Sequence, residues 1–497
     1  MLCTVCFLVL PILAGLSLYL VWTRKYRYWE NLHVPCVPAS FPFGSFHTAF
    51  MMKEPFFEVV GKAYDDFEGA DLIGVYAPIE PCLIVRSADL AKRVLIDDFN
   101  DFMDNGFEAK KSVDPGLGYN PFSLQGHEWK EVRSIHTPVF TTSKIKTMTN
   151  DITSSAKSLY NFIKNGKSNV FNVTFMAKMY LVDAVSKCAY GVESNVWKDP
   201  NPILKQLIKN GVITSELESN CAALCSTLLP WANYITRTRM ISREALGYVK
   251  KIYESVVVQR RDHGNVRNDL VQHLLETDEK RKAAGKEGFT NISWMTNLMV
   301  FFLDGTETAS IAMSYTIYCV AKHPDVQRKL RDEIREMGVT LENLDFEKLK
   351  SLEYLDMVLS ECLRHYPPLP VLSRKATKDT TLGAIRVPKG MKVLVPVWKL
   401  QKDCRNFSNP DEFDPERFSA DRKSSIHKGA YLPFGEGPRL CIGMRFATTA
   451  IKIALITMVL NFEMSCSVED MKPEKSSTLF LFPENGLVEV KFSPLVK

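Results

Sequence analysis

Residues Phe434 to Gly443 read Phe-Gly-Glu-Gly-Pro-Arg-Leu-Cys-Ile-Gly, and this stretch is the strongest local signal in the chain. A turn rich in glycine and proline delivers Cys441 to the start of an apolar helical segment that runs to about Leu460. The free backbone N–H groups and the dipole of a helix N-terminus stabilise a thiolate. Such a thiolate serves as a nucleophile, a redox sensor or a metal ligand, and the cysteine alone does not choose among these roles.

The neighbours of the cysteine narrow the choice. Gly437 permits a tight turn, and Gly443 lets a flat ligand approach the backbone. Phe434 can shield the sulfur, and Arg439 supplies a cation for a nearby acidic group. The stretch resembles the haem-binding signature of the cytochrome P-450 family, Phe-x-x-Gly-x-Arg-x-Cys-x-Gly, at every fixed position. The resemblance implies that Cys441 is the axial thiolate ligand of the iron in haem b.

Glu361 and Arg364 fit the Glu-x-x-Arg motif of the same family, on a helix that two prolines end. The spacing alone is weak, because such pairs are common on helix surfaces and Glu436 to Arg439 also matches it. Arg417 stands where the family has the third member of a Glu-Arg-Arg cluster. The resemblance implies that this cluster holds residues 434–443, the cysteine loop, rigid.

A long apolar helix is predicted around Trp294 to Cys319, and the polar run DGTET at residues 304–308 interrupts it. A core helix gains nothing from burying an acid and two hydroxyls. The family reads Ala/Gly-Gly-x-Asp/Glu-Thr here, which implies that Thr308 assists the activation of dioxygen and that Glu307 relays protons. Asp304 departs from the family, and we expect it to bond locally to the helix or to give the pocket a polar spot.

Three further haem contacts are implied by position. Trp129 and Arg133 match the Trp-x-x-x-Arg motif of the family and would hold a haem propionate. Arg374 occupies the place of the other propionate-binding cation, although a simple surface arginine is the alternative. The complete set of predicted cofactor-binding residues is Cys441, Trp129, Arg133, Arg374, Phe434, Arg439 and Gly443.

Composition places the chain among ordinary globular proteins, with 46% hydrophobic and 24% charged residues in a length of 497. The net charge is +5, of which the first thirty residues contribute +2, so the remainder does not indicate a nucleic-acid partner. Twelve cysteines are too sparse in this length for a disulfide framework. We therefore expect most of them to be reduced core residues.

The N-terminal segment is apolar enough to cross a membrane. Leu2 to Trp22 contains no charge, and 21 helical residues span about 30 Å of hydrocarbon. Arg24, Lys25 and Arg27 follow at once, whereas a cleaved signal peptide carries its basic residues before a shorter apolar stretch. The positive-inside rule puts these cations and everything after them in the cytosol. A buried core helix is the alternative interpretation.

We predict three regions: a membrane anchor over residues 1–23, a basic and proline-rich extended linker over 24–44, and a haem-thiolate catalytic domain over 45–497. Helical periodicity dominates the domain. Strands are few, with a hairpin at 72–85 and a strand at 392–397. The fold class is therefore mainly α with minor β. The resemblance implies the triangular cytochrome P-450 fold, anchored in the endoplasmic reticulum membrane with the domain facing the cytosol.

The resemblance implies a monooxygenase that inserts one atom of O2 into a lipophilic small molecule. The chain shows no nicotinamide or flavin fingerprint, so the electrons must come from a partner. The implied donor is NADPH-cytochrome P-450 reductase, with cytochrome b5 as a second candidate. Lys130, Lys428 and Arg445 are candidates for its docking face, although each also fits an ordinary solvated charge.

The substrate class is bounded by the segments expected to line the pocket, which are apolar and aromatic: residues 107–122, 301–308, 369–372 and 480–482. Residues 221–235 either dip into the bilayer or pack in the core. The cysteine loop is most similar to those of microsomal animal enzymes, especially insect ones, that clear foreign compounds, and hormone metabolism is the alternative. A haem-bearing binding protein and a reductase-independent peroxide isomerase are alternative functions, and the intact Glu307–Thr308 pair argues against both.

Overall fold

A central helix of 32 residues, Asn291–Lys322, organises the molecule and is called the long helix below. The computed structural model describes residues 16–17, 19–198, 217–263, 267–469, 471–475, 478–486 and 488–495. From Trp294 to Ala321 the long helix is buried on almost all sides. Apart from Met295, its more accessible positions are Asp304, Gly305 and Thr308. A helix that is buried on all sides except at a few neighbouring positions is a core element, and those positions border a space inside the molecule.

Several other helices pack against the long helix, and the amphipathic ones bury an apolar stripe. In Pro324–Glu336, for example, Val326, Leu330 and Ile334 recur every four residues and are buried. The longer helices are Phe56–Asp66, Gly126–His136, Thr142–Lys164, Val173–Val185, Leu217–Leu228, Arg243–Ile252, Leu270–Ala283, Pro324–Glu336, Glu353–His365 and Met444–Asn461. The short helical segments are Tyr28–Asn31, His47–Phe50, Ala88–Lys92, Arg93–Asp97, Pro115–Gly118, Thr137–Phe140, Ser186–Tyr190, Pro230–Thr236, Tyr253–Val258, Gln259–His263, Phe346–Ser351, Val397–Leu400, Pro415–Phe418, Ala420–Lys423, Gly437–Arg439 and Glu484–Gly486.

Small sheets flank the helices. The largest sheet in the described residues has the strand order Leu72–Tyr76, Pro81–Val85, Lys392–Val395, Leu372–Lys375 and Asp104–Asn105. Its neighbours are antiparallel, except that the second and third strands are parallel. The other sheets are Val170–Asn172 with Glu489–Pro494 and Phe462–Ser465, and Thr380–Leu382 with Ile385–Val387.

The predicted fold class, mainly α with minor β, is confirmed. The predicted hairpin pairs Leu72 with Val85. The predicted strand from residue 392 ends at Val395, two residues early, because Pro396 has no backbone N–H for a sheet. The predicted long helix extends three residues further at each end than its apolar pattern indicated.

The segment predicted as an extended linker packs against the largest sheet instead. Trp29 is fully buried, and its indole N–H donates a hydrogen bond of 3.0 Å to the Val75 carbonyl. The backbone of Gly74 accepts a hydrogen bond from Val37 and donates one to Pro35. Burying the Trp29 side chain removes a large apolar surface from water, and a free-standing spacer would leave that surface exposed. The segment therefore belongs to the folded body.

Most of the predicted anchor, residues 1–23, lies outside the described residues. The described part of it is helical from residue 19, and the Leu20 and Val21 side chains are more than half exposed. Among the described helices, one is long and apolar enough to cross a membrane: Met444–Asn461, called the closing helix below. That helix is 67% buried inside the molecule, which is the environment of a core helix.

Candidate haem-thiolate site

The cysteine loop is shaped by glycines that no other residue replaces without strain. Gly435 and Gly437 have φ angles of 72° and 70°. A Cβ atom on Gly437 would lie 2.0 Å from the backbone oxygen of Leu95. The backbone N–H of Cys441 donates to the Phe434 carbonyl at 2.9 Å, which closes the loop. The turn thus places Cys441 immediately before the closing helix.

The Cys441 side chain opens onto a cavity deep inside the molecule. The cavity makes it accessible, while the surrounding protein separates it from bulk water. Burial raises the pKa of the Cys441 thiol. Hydrogen bonds from the backbone N–H groups of Gly443 and Met444 oppose this effect, whereas the Asp304 carboxylate adds to it. A cation bound at the sulfur would shift this balance towards the thiolate.

The cavity is bordered by the long helix on one side and by the cysteine loop on the other. All four segments predicted to line the pocket contribute to it, although Phe482 of the last does not. Its wall is largely apolar, and the main apolar side chains are Phe107, Leu117, Phe122, Val300, Phe301, Leu303, Leu369, Leu372, Phe446 and Phe480. Such a lining suits a lipophilic ligand.

Three arginines at the cavity indicate an anionic occupant. Arg133, Arg374 and Arg439 all line it, and none of them forms an ion pair with a carboxylate in the described part of the chain. Arg374 is 3% exposed, and its Nε atom is buried without a hydrogen-bond partner. Burial lowers the pKa of Arg374 to about 10, and burial together with the other two arginines lowers the pKa of Arg439 to about 9. Buried cations of this kind require negative charge.

Haem b fits these residues, because it offers two propionates for the arginines and a flat face for the cysteine loop. A Cβ atom added to Gly443 would meet nothing closer than the Phe140 ring at 3.9 Å, so the backbone there is open to the cavity. Arg133 also donates to the Leu440 carbonyl at 2.6 Å, which couples it to the loop. The sulfur, the open backbone and the unpaired cations together match an iron porphyrin with two carboxylates.

Trp129 and Arg439 form one border of the cavity. The Arg439 guanidinium lies 4.3 Å from the Trp129 ring centroid and donates to the carbonyls of Met103 and Leu124 at 2.6 and 2.8 Å. Trp129 is buried and packs against Phe99. Arg439 therefore fixes neighbouring backbone in addition to lining the cavity.

The two predicted catalytic residues are placed differently. Thr308 lines the cavity, and its hydroxyl donates to the backbone carbonyl of Asp304 at 2.7 Å. Glu307 does not line the cavity: its carboxylate is 6% exposed and pairs with Lys178 Nζ at 2.7 Å. Lys178 lies on the helix Val173–Val185, which packs alongside the long helix. The structure thus places Thr308 and Cys441 at one cavity but directs Glu307 towards a lysine.

The Glu-Arg-Arg cluster is assembled and buried. Glu361 accepts two hydrogen bonds from Arg364, at 2.7 and 2.9 Å, and a third from Arg417 at 3.3 Å. Glu361 and Arg364 are completely buried. Burial raises the pKa of Glu361, but the hydrogen bonds from Arg364 and His365 outweigh it and lower that pKa to about 2. The alternative pair behaves otherwise, because within the part of the chain that the structure describes Glu436 accepts a hydrogen bond only from the adjacent Gly437 N–H.

Sequence reasoning missed three residues near the cavity. Asn120 donates to Asp304, although it was only one residue within a segment expected to line the pocket. His136 lines the cavity and hydrogen-bonds Asn297 at 2.8 Å; its position seven residues after Trp129, on the same helix face, was an available signal. Lys178 had no sequence signal, because its partner depends on how two helices cross.

Comparisons with known proteins agree with this geometry. The family profile described as Cytochrome P450 matches residues 38–490. Cytochrome P450 6j1 of Blattella germanica is 32% identical over 474 residues, covering 94% of this chain and 92% of that protein. Probable cytochrome P450 6d4 of Drosophila melanogaster is 28% identical over 515 residues, covering 98% and 99%. Cytochrome P450 6k1 of Blattella germanica is 29% identical over 500 residues, covering 96% and 94%.

The fold and the site define a haem-thiolate protein, and the chain belongs to the cytochrome P450 family. It resembles the insect enzymes of that family. The protein is accordingly a monooxygenase of the oxidoreductase class whose cofactor is haem b, iron protoporphyrin IX. The expectations for family, enzyme class and cofactor are confirmed.

Proposed function

We propose that the protein oxidises lipophilic small molecules, and that Cys441 is the axial ligand of its haem iron. The observation that carries this is that the Cys441 sulfur, just before the closing helix, shares one apolar cavity with Thr308 and with three arginines. These arginines pair with no carboxylate of the described residues. A bound haem supplies dioxygen binding and one-electron chemistry that protein side chains lack. The protein residues hold the group, exclude water and position protons.

Each site residue has a proposed task. Arg133, Arg374 and Trp129 bind the propionates, and Arg439 both adds charge and fixes the backbone beside Trp129. Phe434 and Gly443 line the cavity next to Cys441, where they shield the sulfur and leave room for a flat ring. The Glu361 cluster would support the cysteine loop indirectly, because Arg417 donates to the Ser408 and Asn409 carbonyls and so fixes the chain that leads to the loop. Thr308 would offer its hydroxyl to dioxygen bound in the cavity, and Glu307, held by Lys178, would supply protons.

The decisive measurement is the absorption spectrum of the reduced, CO-bound protein. We expect the strongly red-shifted Soret band of thiolate ligation in the wild type. The Cys441→His variant should lose this shift even if it retains haem. A wild-type Soret band without the shift refutes the assignment of Cys441.

Thr308 is tested by comparison with a threonine two residues away. Thr308→Ala should keep NADPH consumption but divert it from product to peroxide, lowering product per NADPH by about tenfold. Thr306→Ala is the matched control, because Thr306 is buried outside the cavity and donates to the Phe302 carbonyl. Equal product per NADPH in both variants would exclude the role of Thr308. Turnover without reductase would instead favour a peroxide isomerase. The absence of any turnover would favour a haem-bearing binding protein.

We further propose the domain order and location: an anchor over residues 1–23, a basic segment over 24–44 that packs on the folded body, and a catalytic domain over 45–497, on the cytosolic face of the endoplasmic reticulum. The uncharged run followed by three cations supports this orientation. Trp231, Tyr234 and Ile235 are about half or more exposed, so this part of residues 221–235 suits the bilayer, whereas Leu224 and Leu228 are core residues. Fluorescence-protease protection of tagged termini in microsomes tests the topology.

For electrons, we propose an NADPH-dependent flavoprotein reductase, with cytochrome b5 as a second donor. Lys130, Lys428 and Arg445 are exposed and form no ion pairs in the described part of the chain. Lys130 and Arg445 lie on the helices that border the cysteine loop. The triple charge-reversal variant should raise the Michaelis constant for reductase while leaving substrate binding unchanged. An unaltered constant at low salt would exclude this face.

The substrate class proposed first is foreign lipophilic compounds, with steroids and other hormones as the second. The apolar, aromatic cavity supports both. The test compares a panel of plant and synthetic lipophiles with a panel of steroids. Substrate-dependent NADPH consumption with added reductase shows which of the two substrate classes the protein oxidises.

A further inference from the structure

The long helix carries two acids in the 304–308 run, and their surroundings differ. Glu307 lies off the cavity and has a lysine partner at 2.7 Å. Asp304 lines the cavity, and no lysine, arginine or histidine of the described residues lies within ion-pair distance of it. Its side-chain partner is the amide of Asn120, whose Nδ2 lies 3.2 and 3.4 Å from the two carboxylate oxygens. The Asp304 charge is therefore not neutralised by the protein.

Asn120 is held so that it can only donate to Asp304. Its Oδ1 accepts a hydrogen bond of 2.7 Å from the Phe122 N–H, which fixes the orientation of the amide. Asn120 is 1% exposed, so it cannot turn towards water. A single amide donor satisfies only part of the acceptor capacity of a carboxylate. The remaining lone pairs of Asp304 are left to the cavity.

The surroundings of Asp304 penalise its charge and favour a cationic partner. Leu117, Phe122 and Leu303 contribute apolar wall to the same cavity. Burial raises the pKa of Asp304 to about 7, and the hydrogen bond from Asn120 opposes this only in part. A positive group entering the cavity would stabilise the carboxylate in a medium of low dielectric constant.

We propose that Asp304, oriented by Asn120, binds a cationic nitrogen on substrates that are otherwise lipophilic. This rests on the proposed function of the cavity, and it narrows the substrate class to lipophilic amines and ammonium compounds. The rival explanation is structural: the pair only ties the loop that follows the helix Pro115–Gly118 to the long helix. The two explanations differ in whether charge on the ligand matters.

The test is binding of a charged ligand and its neutral isostere to the purified, full-length holoenzyme. Phenylbutyltrimethylammonium is the charged probe, because a quaternary nitrogen has no lone pair with which to coordinate iron. Its neutral tert-butyl counterpart has the same shape. Dissociation constants come from the Soret shift and, independently of the haem, from equilibrium dialysis. The variants are Asp304→Asn, Asn120→Leu and, as a matched loss of one exposed carboxylate, Asp325→Asn.

We expect the wild type and Asp325→Asn to bind the cation at least tenfold more tightly than the isostere. Asp304→Asn should bind both probes within twofold, and Asn120→Leu should reduce the preference, because it removes the amide that orients the carboxylate and opposes the rise in its pKa. Equal binding of the two probes by the wild type overturns the proposal, and that result does not depend on any variant folding. Retention of the preference in Asp304→Asn overturns it as well. Failure of the proposed function is separate: it would appear as an unshifted CO-bound Soret band.

Discussion

Removing the carboxylate at the centre of the Glu-Arg-Arg cluster should destabilise the whole cysteine side of the molecule. Glu361→Gln keeps the shape of the side chain but leaves Arg364, completely buried, without its counter-charge. The shift of the Glu361 pKa from 4.5 to about 2 corresponds to roughly 3 kcal/mol at ~1.4 kcal/mol per pH unit. Loss of one partner of a buried ion pair typically costs about 3–5 kcal/mol. Both arguments predict a fall of about 3–4 kcal/mol.

The assay is urea unfolding of the holoenzyme, followed by tryptophan fluorescence and by haem absorbance. Glu436→Gln is the matched control, because it alters the other Glu-x-x-Arg pair at a carboxylate whose hydrogen bond is to the adjacent backbone. The folded-state pKa of Glu361 is depressed, so its contribution is complete above the unfolded value of about 4.5. It is lost as the pH falls towards about 2. The difference between wild type and variant should therefore stay constant near pH 7 and shrink in acid.

The reasoning is refuted if Glu361→Gln and Glu436→Gln lower the unfolding free energy equally, or if their difference does not change in acid. A further expectation is that Glu361→Gln loses haem at lower urea than the wild type. This follows because the Arg417 guanidinium, the third member of the cluster, would share the uncompensated charge.

Three other substitutions test the site. Gly437→Ala should prevent haem retention, because the added Cβ has no room. In Gly435→Ala the added Cβ meets only a side chain at 3.7 Å, so this variant should lose about 1 kcal/mol of unfolding free energy. Haem content and the urea midpoint measure both effects. Lys178→Met removes the cation beside buried Glu307. We expect a lower yield of product per NADPH with unchanged substrate affinity. An unchanged yield of product per NADPH would show that Glu307 does not deliver protons. Arg374→Leu should weaken haem binding by at least tenfold, measured by transfer of haem to apomyoglobin, and an unchanged transfer rate would contradict its role as a propionate ligand.

The parts of the fold that sequence reasoning predicted are those with a local cause. The cysteine loop follows from residues 434–443, and the long helix and the closing helix follow from apolar periodicity. The predicted gathering of Arg133, Arg374 and Cys441 at one cavity came from a family resemblance, and no periodicity within the chain contains it.

What the sequence did not predict depends on contacts between distant segments. Asn120 and Asp304 are 184 positions apart, so their hydrogen bond is invisible until a loop is folded over the long helix. The Lys178 to Glu307 pair likewise depends on the crossing of two helices. The burial of Trp29 was masked by the prolines that follow it, which favour extended backbone but do not prevent packing.

The packing of Trp29 bears on how a soluble form of this protein could be made. A Cβ atom on Gly74 would lie 2.4 Å from the Trp29 ring, so the strand is shaped to receive that side chain. Trp22 and Tyr26 both donate to the Pro78 carbonyl, at 2.6 and 2.8 Å. Cutting the chain at residue 45 to remove the proposed membrane anchor would also remove Trp29 and leave its binding site on the sheet exposed. Trimming should stop before Trp22, and solubility is better sought by replacing apolar residues ahead of that point.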